Sequence, residues 1–328
     1  MTSYDRIRDL SRRKKSEKRG NLAPTLMQRV GILGLGLMGS AFAANLLSKG
    51  HEVHIYNRTR GKANPLVGKG AILHSTPREL ARGVDIAVTS LTDHTAVEEV
   101  ALGQNGFLTA MRKGALWVDM STIDPDASAR HAAEASRLGV KRLDAPVVGG
   151  PSLASKGKVL ALVGGKEGVY KTYQEFLNEL ADPVVYLGPD GSGHRMKLAI
   201  NLYLGLAAES FSEAMVFARK LGFDPRVFVD TFNKTTNRNH YSETKGPKIA
   251  EGNFEPTFSM DNLVKDLRLV DVQREKARLI LPLFAVALER YMAAASFGDG
   301  GRDYSAIVRE IQRLNGMKQE KASARKTA

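Results

Sequence analysis

Short apolar runs alternate with amphipathic stretches through the first half of the chain. Apolar strands are expected over residues 30–33, 52–56, 71–73, 86–89, 115–119, 141–144 and 159–163. Between them, residues 37–49, 77–82, 95–101, 126–138 and 168–180 carry the spacing of helices. Short, mostly apolar strands separated by helices predict a largely parallel sheet covered on both faces. After Gly188 the period changes. Met196, Leu198, Ala199, Leu202, Leu206, Phe211, Ala214 and Phe217 recur at helical spacing, and residues 192–221 contain no proline. That predicts one helix of about 45 Å, at about 1.5 Å per residue. Further helices are expected over 225–233, 262–276, 282–294 and 304–314, with no strand among them.

The first strand runs into Gly34-Leu35-Gly36-Leu37-Met38-Gly39, and each glycine has a separate reason to be there. Gly34 permits the tight turn, Gly36 lets backbone approach a pyrophosphate, and Gly39 lets the next helix pack on the strand. A helix N-terminus offers unpaired N–H groups and partial positive charge, which suits a diphosphate. The glycine motif follows a strand, opens a helix and precedes a second strand, the context that makes it a dinucleotide signature. Where that second strand ends, a carboxylate for the ribose hydroxyls is replaced by Asn57-Arg58-Thr59. An arginine can pair with a 2′-phosphate, and Asn57 and Thr59 can add neutral hydrogen bonds. The expected cofactor is therefore NADP, taken up as NADPH for reduction.

These elements give the expected fold class: α/β, a Rossmann-type doubly wound sheet followed by a long interdomain helix and an all-α C-terminal domain. The expected divisions are a basic extension over 1–29, the NADP-binding domain over 30–191, the long helix and helical domain over 192–316, and a basic tail over 317–328. The chain's 328 residues are enough for two cores, and its formal charge of +13 is unevenly spread. Residues 1–29 hold nine Lys/Arg against three acids, and residues 317–328 hold four against one, leaving a modest excess between them. The basic arm reads first as a solvated tail, with nucleic-acid attachment as the alternative. An Arg-rich leader is disfavoured by Asp5, Asp9 and Glu17. Absence of cysteine excludes a disulfide framework and fits a cytoplasmic setting. No apolar run is long enough to suggest a membrane span, and the scattered histidines suggest no metal site.

The long helix begins after Gly191-Ser192-Gly193 and carries Lys197 and Asn201 four residues apart, on one face. A lysine in the first turns of a helix opposes the macrodipole. It reads either as a surface lysine or as an ammonium placed for proton transfer beside a ligand that the glycine loop admits. His194 reads as an exposed loop histidine, and Trp117 as core.

Taken in order, these motifs identify the chain as resembling the β-hydroxyacid dehydrogenases, a family that includes 3-hydroxyisobutyrate dehydrogenases and several semialdehyde reductases. The resemblance runs over residues 30–316. It is carried by the glycine motif, Leu91-Thr92-Asp93, Val118-Asp119-Met120-Ser121-Thr122, Asp144-Ala145-Pro146-Val147-Val148-Gly149-Gly150, Gly191-Ser192-Gly193 with Lys197 and Asn201, Lys265-Asp266-Leu267, and the segment 298–305. It implies that Lys197 is the catalytic acid/base and that Asn201 holds the reacting oxygen. It further implies that Leu91 and Thr92 border the cofactor, that Ser121 and Thr122 border nicotinamide and substrate, and that Lys265 reaches the cofactor from the helical domain. Gly149 and Gly150 would offer N–H groups to a substrate carboxylate. Asp266, beside Lys265, is read either as part of the substrate site or as a helix-surface acid. A homodimer or homotetramer acting on a small carboxylate or semialdehyde is implied as well.

Two positions depart from the family pattern. Val148 stands where serine is usual, removing a hydroxyl whose hydrogen bond to a charged group contributes about 1.5–3 kcal/mol. Ile200 stands where relatives often have a second asparagine. A cofactor-binding scaffold attached to nucleic acid by the basic arm is the reading of a different class. An imine reductase is the nearer rival, disfavoured by Lys197.

Overall fold

The structure is a computed structural model, and it describes residues 27–317. Residues 1–26 of the basic arm and 318–328 of the tail lie outside the described residues. Strand β1 (Arg29–Leu33) leads into α1 (Leu37–Ser48), β2 (Glu52–Tyr56), the single-turn α2 (Asn64–Val67), β3 (Ile72–Leu73), α3 (Pro77–Arg82) and β4 (Ile86–Thr89). The chain continues through α4 (His94–Leu102), β5 (Leu116–Asp119), α5 (Pro125–Arg137), β6 (Lys141–Asp144) and β7 (Val147–Val148). Next come α6 (Pro151–Ala154), β8 (Leu160–Gly165), α7 (Glu167–Leu180) and β9 (Val184–Gly188). Helix α8 (Ser192–Lys220) opens the helical half. It is followed by α9 (Pro225–Phe232), α10 (His240–Thr244), α11 (Gly246–Ala250), α12 (Met260–Lys276), α13 (Pro282–Ala294) and α14 (Ile307–Leu314).

The sheet order is β3-β2-β1-β4-β5-β6-β8, with β7 and β9 both pairing with β8. From β3 to β6 every pairing is parallel, as near-continuous apolar strands require when helices cover both faces. Strands β6 and β7 lie end to end along β8 and run antiparallel to it, Leu143 opposite Gly165 and Val148 opposite Leu160. Strand β9 then pairs parallel with β8. This edge was not anticipated, because two-residue β7 and the half-exposed β9 carry too little alternation to register as strands.

Two apolar layers flank the sheet. One is centred on Phe42, Leu46, Val88 and Val118, and the other on Leu80, Phe107, Leu108 and the fully buried Trp117. A separate core, built on Phe211, Met260, Leu263, Phe284 and Tyr291, holds the helical half. Helix α8 joins the two. Gly193, in its first turn, has no room for a side chain, since a Cβ there would lie 2.1 Å from the Leu162 carbonyl oxygen on β8. Further along, α8 packs against α12 and α14. The last helix expected over 304–314 begins as a 3-10 turn over Tyr304–Ala306 before α14 proper.

Candidate active site

The glycine loop between β1 and α1 separates steric need from open space. A Cβ on Gly34, whose φ is +102°, would sit 2.4 Å from the Ser90 carbonyl oxygen, and one on Gly39 would sit 1.9 Å from the Gly34 oxygen. A Cβ on Gly36 would meet nothing within 4 Å. Gly36 is exposed, as is Leu37, while Gly34, Leu35 and Gly39 are buried. The first turn of α1 has no acidic residue and its N-cap makes no side-chain hydrogen bond. Open space before uncapped N–H groups is a cradle of the kind a dinucleotide diphosphate fits.

Asn57 has a role that spacing alone did not suggest. Its Oδ1 accepts from the Leu35 amide at 2.8 Å, and its Nδ2 donates to the Thr59 carbonyl at 2.9 Å. The side chain therefore ties the glycine loop to the turn that carries Arg58 and is committed to backbone at both ends. Arg58 and Thr59 are exposed at that turn.

The strand ends of β4, β5 and β6 are braced from below by a buried polar network. Trp117 Nε1 donates to Thr89 Oγ1 at 2.9 Å, and Thr89 Oγ1 donates to Asp119 Oδ1 at 2.9 Å. Arg142 donates to Asp119 Oδ2 at 3.1 Å and to Ser128 Oγ at 3.0 Å, with its guanidinium over the Trp117 ring. Burial alone would raise the Asp119 carboxyl, but Arg142 and its other partners hold it below the usual carboxylate range. Asp119 in turn accepts from the Ser121 amide at 3.1 Å, and Ser121 Oγ accepts from the Leu91 amide at 3.0 Å. The loops bearing Leu91-Thr92 and Ser121-Thr122 are thus fixed to each other.

Asp144, at the end of β6, accepts from the Gly191 amide at 2.7 Å and from the His194 amide at 3.2 Å. It satisfies donors that the start of α8 leaves open, a role signalled only by an acid ending a strand and a glycine-flanked helix start elsewhere. His194 departs from the sequence expectation. It is fully buried rather than exposed, because the missing Cβ of Gly193 draws this turn against β8. Its Nε2 lies 3.8 Å from Asp119 Oδ2, and burial pushes its pKa down.

One turn on, Lys197 is partly accessible and forms no hydrogen bond or ion pair among the described residues. Burial pushes its ammonium down to about 8, with Asp266 opposing that shift and Lys265 adding to it. Asn201, on the same face, is 1% exposed and donates from Nδ2 to Asp266 Oδ2 at 2.6 Å. Its Oδ1 is buried without a partner. The surface-acid reading of Asp266 is corrected: the residue is 1% exposed and held by Asn201 and Lys265, because α12 turns this face toward α8.

Lys265 lies across the junction of the two halves. Its Nζ donates to the Thr92 carbonyl at 2.6 Å and the Thr122 carbonyl at 2.7 Å, and pairs with Asp266 Oδ1 at 2.7 Å. An ammonium has three protons, so all are directed at protein acceptors in this arrangement. The lysine ties the loops that follow β4 and β5 to the helical half. Val148 is half-buried on β7, Gly149 turns with φ +135°, and a Cβ on Gly150 would meet open space. Among the described residues no group of histidines and acids could hold a metal ion. No helix there is long and apolar enough to cross a membrane.

Comparison with known proteins gives two consecutive family matches. Residues 29–188 match the NAD-binding domain of 6-phosphogluconate dehydrogenase. Residues 191–311 match the family described as NAD-binding of NADP-dependent 3-hydroxyisobutyrate dehydrogenase. The chain is 32% identical to glyoxylate/succinic semialdehyde reductase 2, chloroplastic, of Arabidopsis thaliana, over 86% of this chain and 79% of that one. It is 33% identical to the cytokine-like nuclear factor N-PAC of Xenopus tropicalis over 88% of its length, but spans only 54% of that longer protein. A crystal structure of 3-hydroxyisobutyrate dehydrogenase from Salmonella typhimurium superposes with a TM-score of 0.80 at 28% identity, covering 86% of this chain and 99% of the other.

Proposed function

The chain belongs to the β-hydroxyacid dehydrogenase family, and we propose that it is an NADP-dependent reductase interconverting a small β-hydroxyacid and its semialdehyde or keto acid. NAD(P)-dependent dehydrogenase action on a CH–OH group is the activity common to its enzymatic relatives. The finer reading is carried by Lys197, one turn before Asn201 on the same face of α8: it has no partner among the described residues, burial pushes its ammonium down to about 8, and Asp266, which holds Asn201, favours its charged form.

The bound cofactor supplies a hydride. Residues 34–39 hold its diphosphate, and Arg58 pairs with a 2′-phosphate through charge-assisted hydrogen bonds. The second family match, to an NADP-dependent enzyme, supports this preference. In reduction Lys197 stabilises the developing alkoxide and gives it a proton, and in oxidation the neutral amine takes that proton back. Asn201, its amide fixed by Asp266, steers the reacting oxygen toward Lys197. Ser121 Oγ accepts from the Leu91 amide and donates to no acceptor among the described residues, which leaves its proton for the substrate. The amides of Gly149 and Gly150 receive the carboxylate, and Val148 offers apolar contact where a serine would donate.

The divisions proposed for the chain are a sheet domain over 30–191 and a helical domain over 192–316. Exposed Phe217, Ile280 and Leu283 on the helical half support association into a dimer or tetramer there. A cytoplasmic location belongs to the same reading.

NADPH oxidation with glyoxylate, succinic semialdehyde and tartronate semialdehyde, and NADP reduction with 3-hydroxyisobutyrate, test the proposal. Turnover should be abolished in Lys197→Ala with cofactor binding retained, and unchanged turnover in that variant would remove the mechanism. Similarity to N-PAC and the basic arm favour a second reading, a cofactor-binding scaffold attached to nucleic acid. Salt-sensitive duplex DNA binding that vanishes on deleting residues 1–29, with no turnover on any substrate, is its signature.

A further inference from the structure

Helix α12 meets the loop that follows β5 at successive points in step along both elements. Lys265 donates to the Thr122 carbonyl at 2.7 Å, and Gln273 Nε2 donates to Asp124 Oδ1 at 2.9 Å. Lys276 pairs with Asp126. Residues 265 and 276 are eleven apart, close to three turns, so their side chains leave the same face of the helix about 16 Å apart. Residue 273 lies toward the same side. The partners 122, 124 and 126 advance along the loop in the same order, past Ser121 and into the start of α5.

The contacts are graded in strength. At the inner end, Lys265 joins Thr122 to Thr92 and to Asp266, which itself holds Asn201. In the middle, Gln273 donates to the same Asp124 oxygen that accepts from the Asp126 amide, so it grips the cap of α5. At the outer end, Lys276 and Asp126 are each about half exposed, their side chains 51% and 51% accessible. An exposed ion pair of this kind contributes little and is screened by salt.

We infer that Gln273 and Lys276 are positioning residues that fasten the loop over residues 121–126 to the helical half and thereby govern how readily the cleft opens to release cofactor. The inference rests on the reading that NADPH lies along residues 34–39 and reaches this loop. Lys265, expected as a cofactor contact, is the innermost fastening of the same clasp. Because the outer pair is exposed and its partners sit on different halves, opening starts at the Lys276 end and is sensitive to ionic strength.

Release of NADPH from the full chain, followed by stopped-flow fluorescence, tests this. Lys276→Met and Gln273→Leu should each speed release about twofold to fivefold, as loss of one weak contact allows. They should raise KM for NADPH while leaving kcat unchanged or higher. Release from the unaltered protein should quicken between about 0.02 M and about 0.5 M salt, and the Lys276→Met variant should show a shallower dependence, what remains coming from the cofactor's own phosphates. Lys276→Glu should release fastest, and adding Asp126→Lys should restore the original rate. Unchanged release and unchanged salt response in Lys276→Met and Gln273→Leu would overturn the inference. A protein that binds no NADPH at all would instead defeat the cofactor reading, and the inference with it. Unaltered thermal unfolding of both variants separates a loosened clasp from a damaged fold.

Discussion

Asn201 on α8 donates to Asp266 on α12 at 2.6 Å, and the bond leaves the buried Asn201 Oδ1 without a partner. The pair fixes one asparagine rotamer and places a carboxylate near Lys197 in one arrangement. Asp266 raises the Lys197 pKa against the effect of burial, so its loss should lower that pKa below about 8. Asp266→Asn should therefore move the kinetic pKa of the oxidation direction downward. It should also lower kcat/KM by about tenfold or more, in line with about 1.5–3 kcal/mol for a charged hydrogen bond. A pH profile of kcat/KM that keeps its midpoint in this variant counts against the coupling.

The unaltered enzyme should itself titrate in a direction set by Lys197. The ammonium is the acid in reduction, so the reductive rate should fall as pH rises through about 8. Oxidation requires the neutral amine and should rise over the same interval. Parallel rather than opposed profiles in the two directions, measured on one substrate pair, are incompatible with Lys197 as the shared acid/base.

Two glycines of the cofactor loop should separate folding from binding. Gly36→Ala adds a methyl into open space, so thermal stability should stay near that of the unaltered protein while NADPH affinity falls. Gly39→Ala drives a methyl toward the Gly34 oxygen, at 1.9 Å before relaxation, and should reduce both. Thermal unfolding with and without NADPH distinguishes the two outcomes.

The order of elements was legible because each repeats a physical pattern: apolar strand, glycine or cap, amphipathic helix. The parallel half of the sheet and the long helix follow that pattern closely, with α8 spanning Ser192–Lys220 against the expected 192–221. What escaped were features decided by distant partners. His194 reads as exposed until Gly193 is seen to lack room for a Cβ against Leu162. Asp266 keeps its ambiguity until Asn201, 65 residues earlier, is brought to it. Gln273 and Lys276 draw no reading from the sequence, since their partners Asp124 and Asp126 lie 149 and 150 residues earlier. Periodicity marks which face is buried, and it carries no information about which polar group waits on the other side.

Asn57 gives a prediction that divides cofactor preference from cofactor geometry. Its two bonds, from the Leu35 amide and to the Thr59 carbonyl, join the diphosphate loop to the turn presenting Arg58. Neither bond depends on which nicotinamide cofactor is bound. Asn57→Ala should therefore weaken NADH and NADPH together, by an amount set by the loosened loop. Arg58→Ala removes the group proposed to pair with a 2′-phosphate and should weaken NADPH alone, shifting the ratio of catalytic efficiencies toward NADH. Asn57→Asp keeps an acceptor for Leu35 but loses the donor to Thr59 and sets a negative charge one residue from Arg58. That variant should lose more NADPH than NADH affinity, because the new carboxylate repels the phosphate that Arg58 attracts. Dissociation constants for both cofactors in the three variants decide the matter. If Asn57→Ala changes NADPH affinity while leaving NADH untouched, Asn57 acts on the phosphate directly and the tie between the loops is not its function.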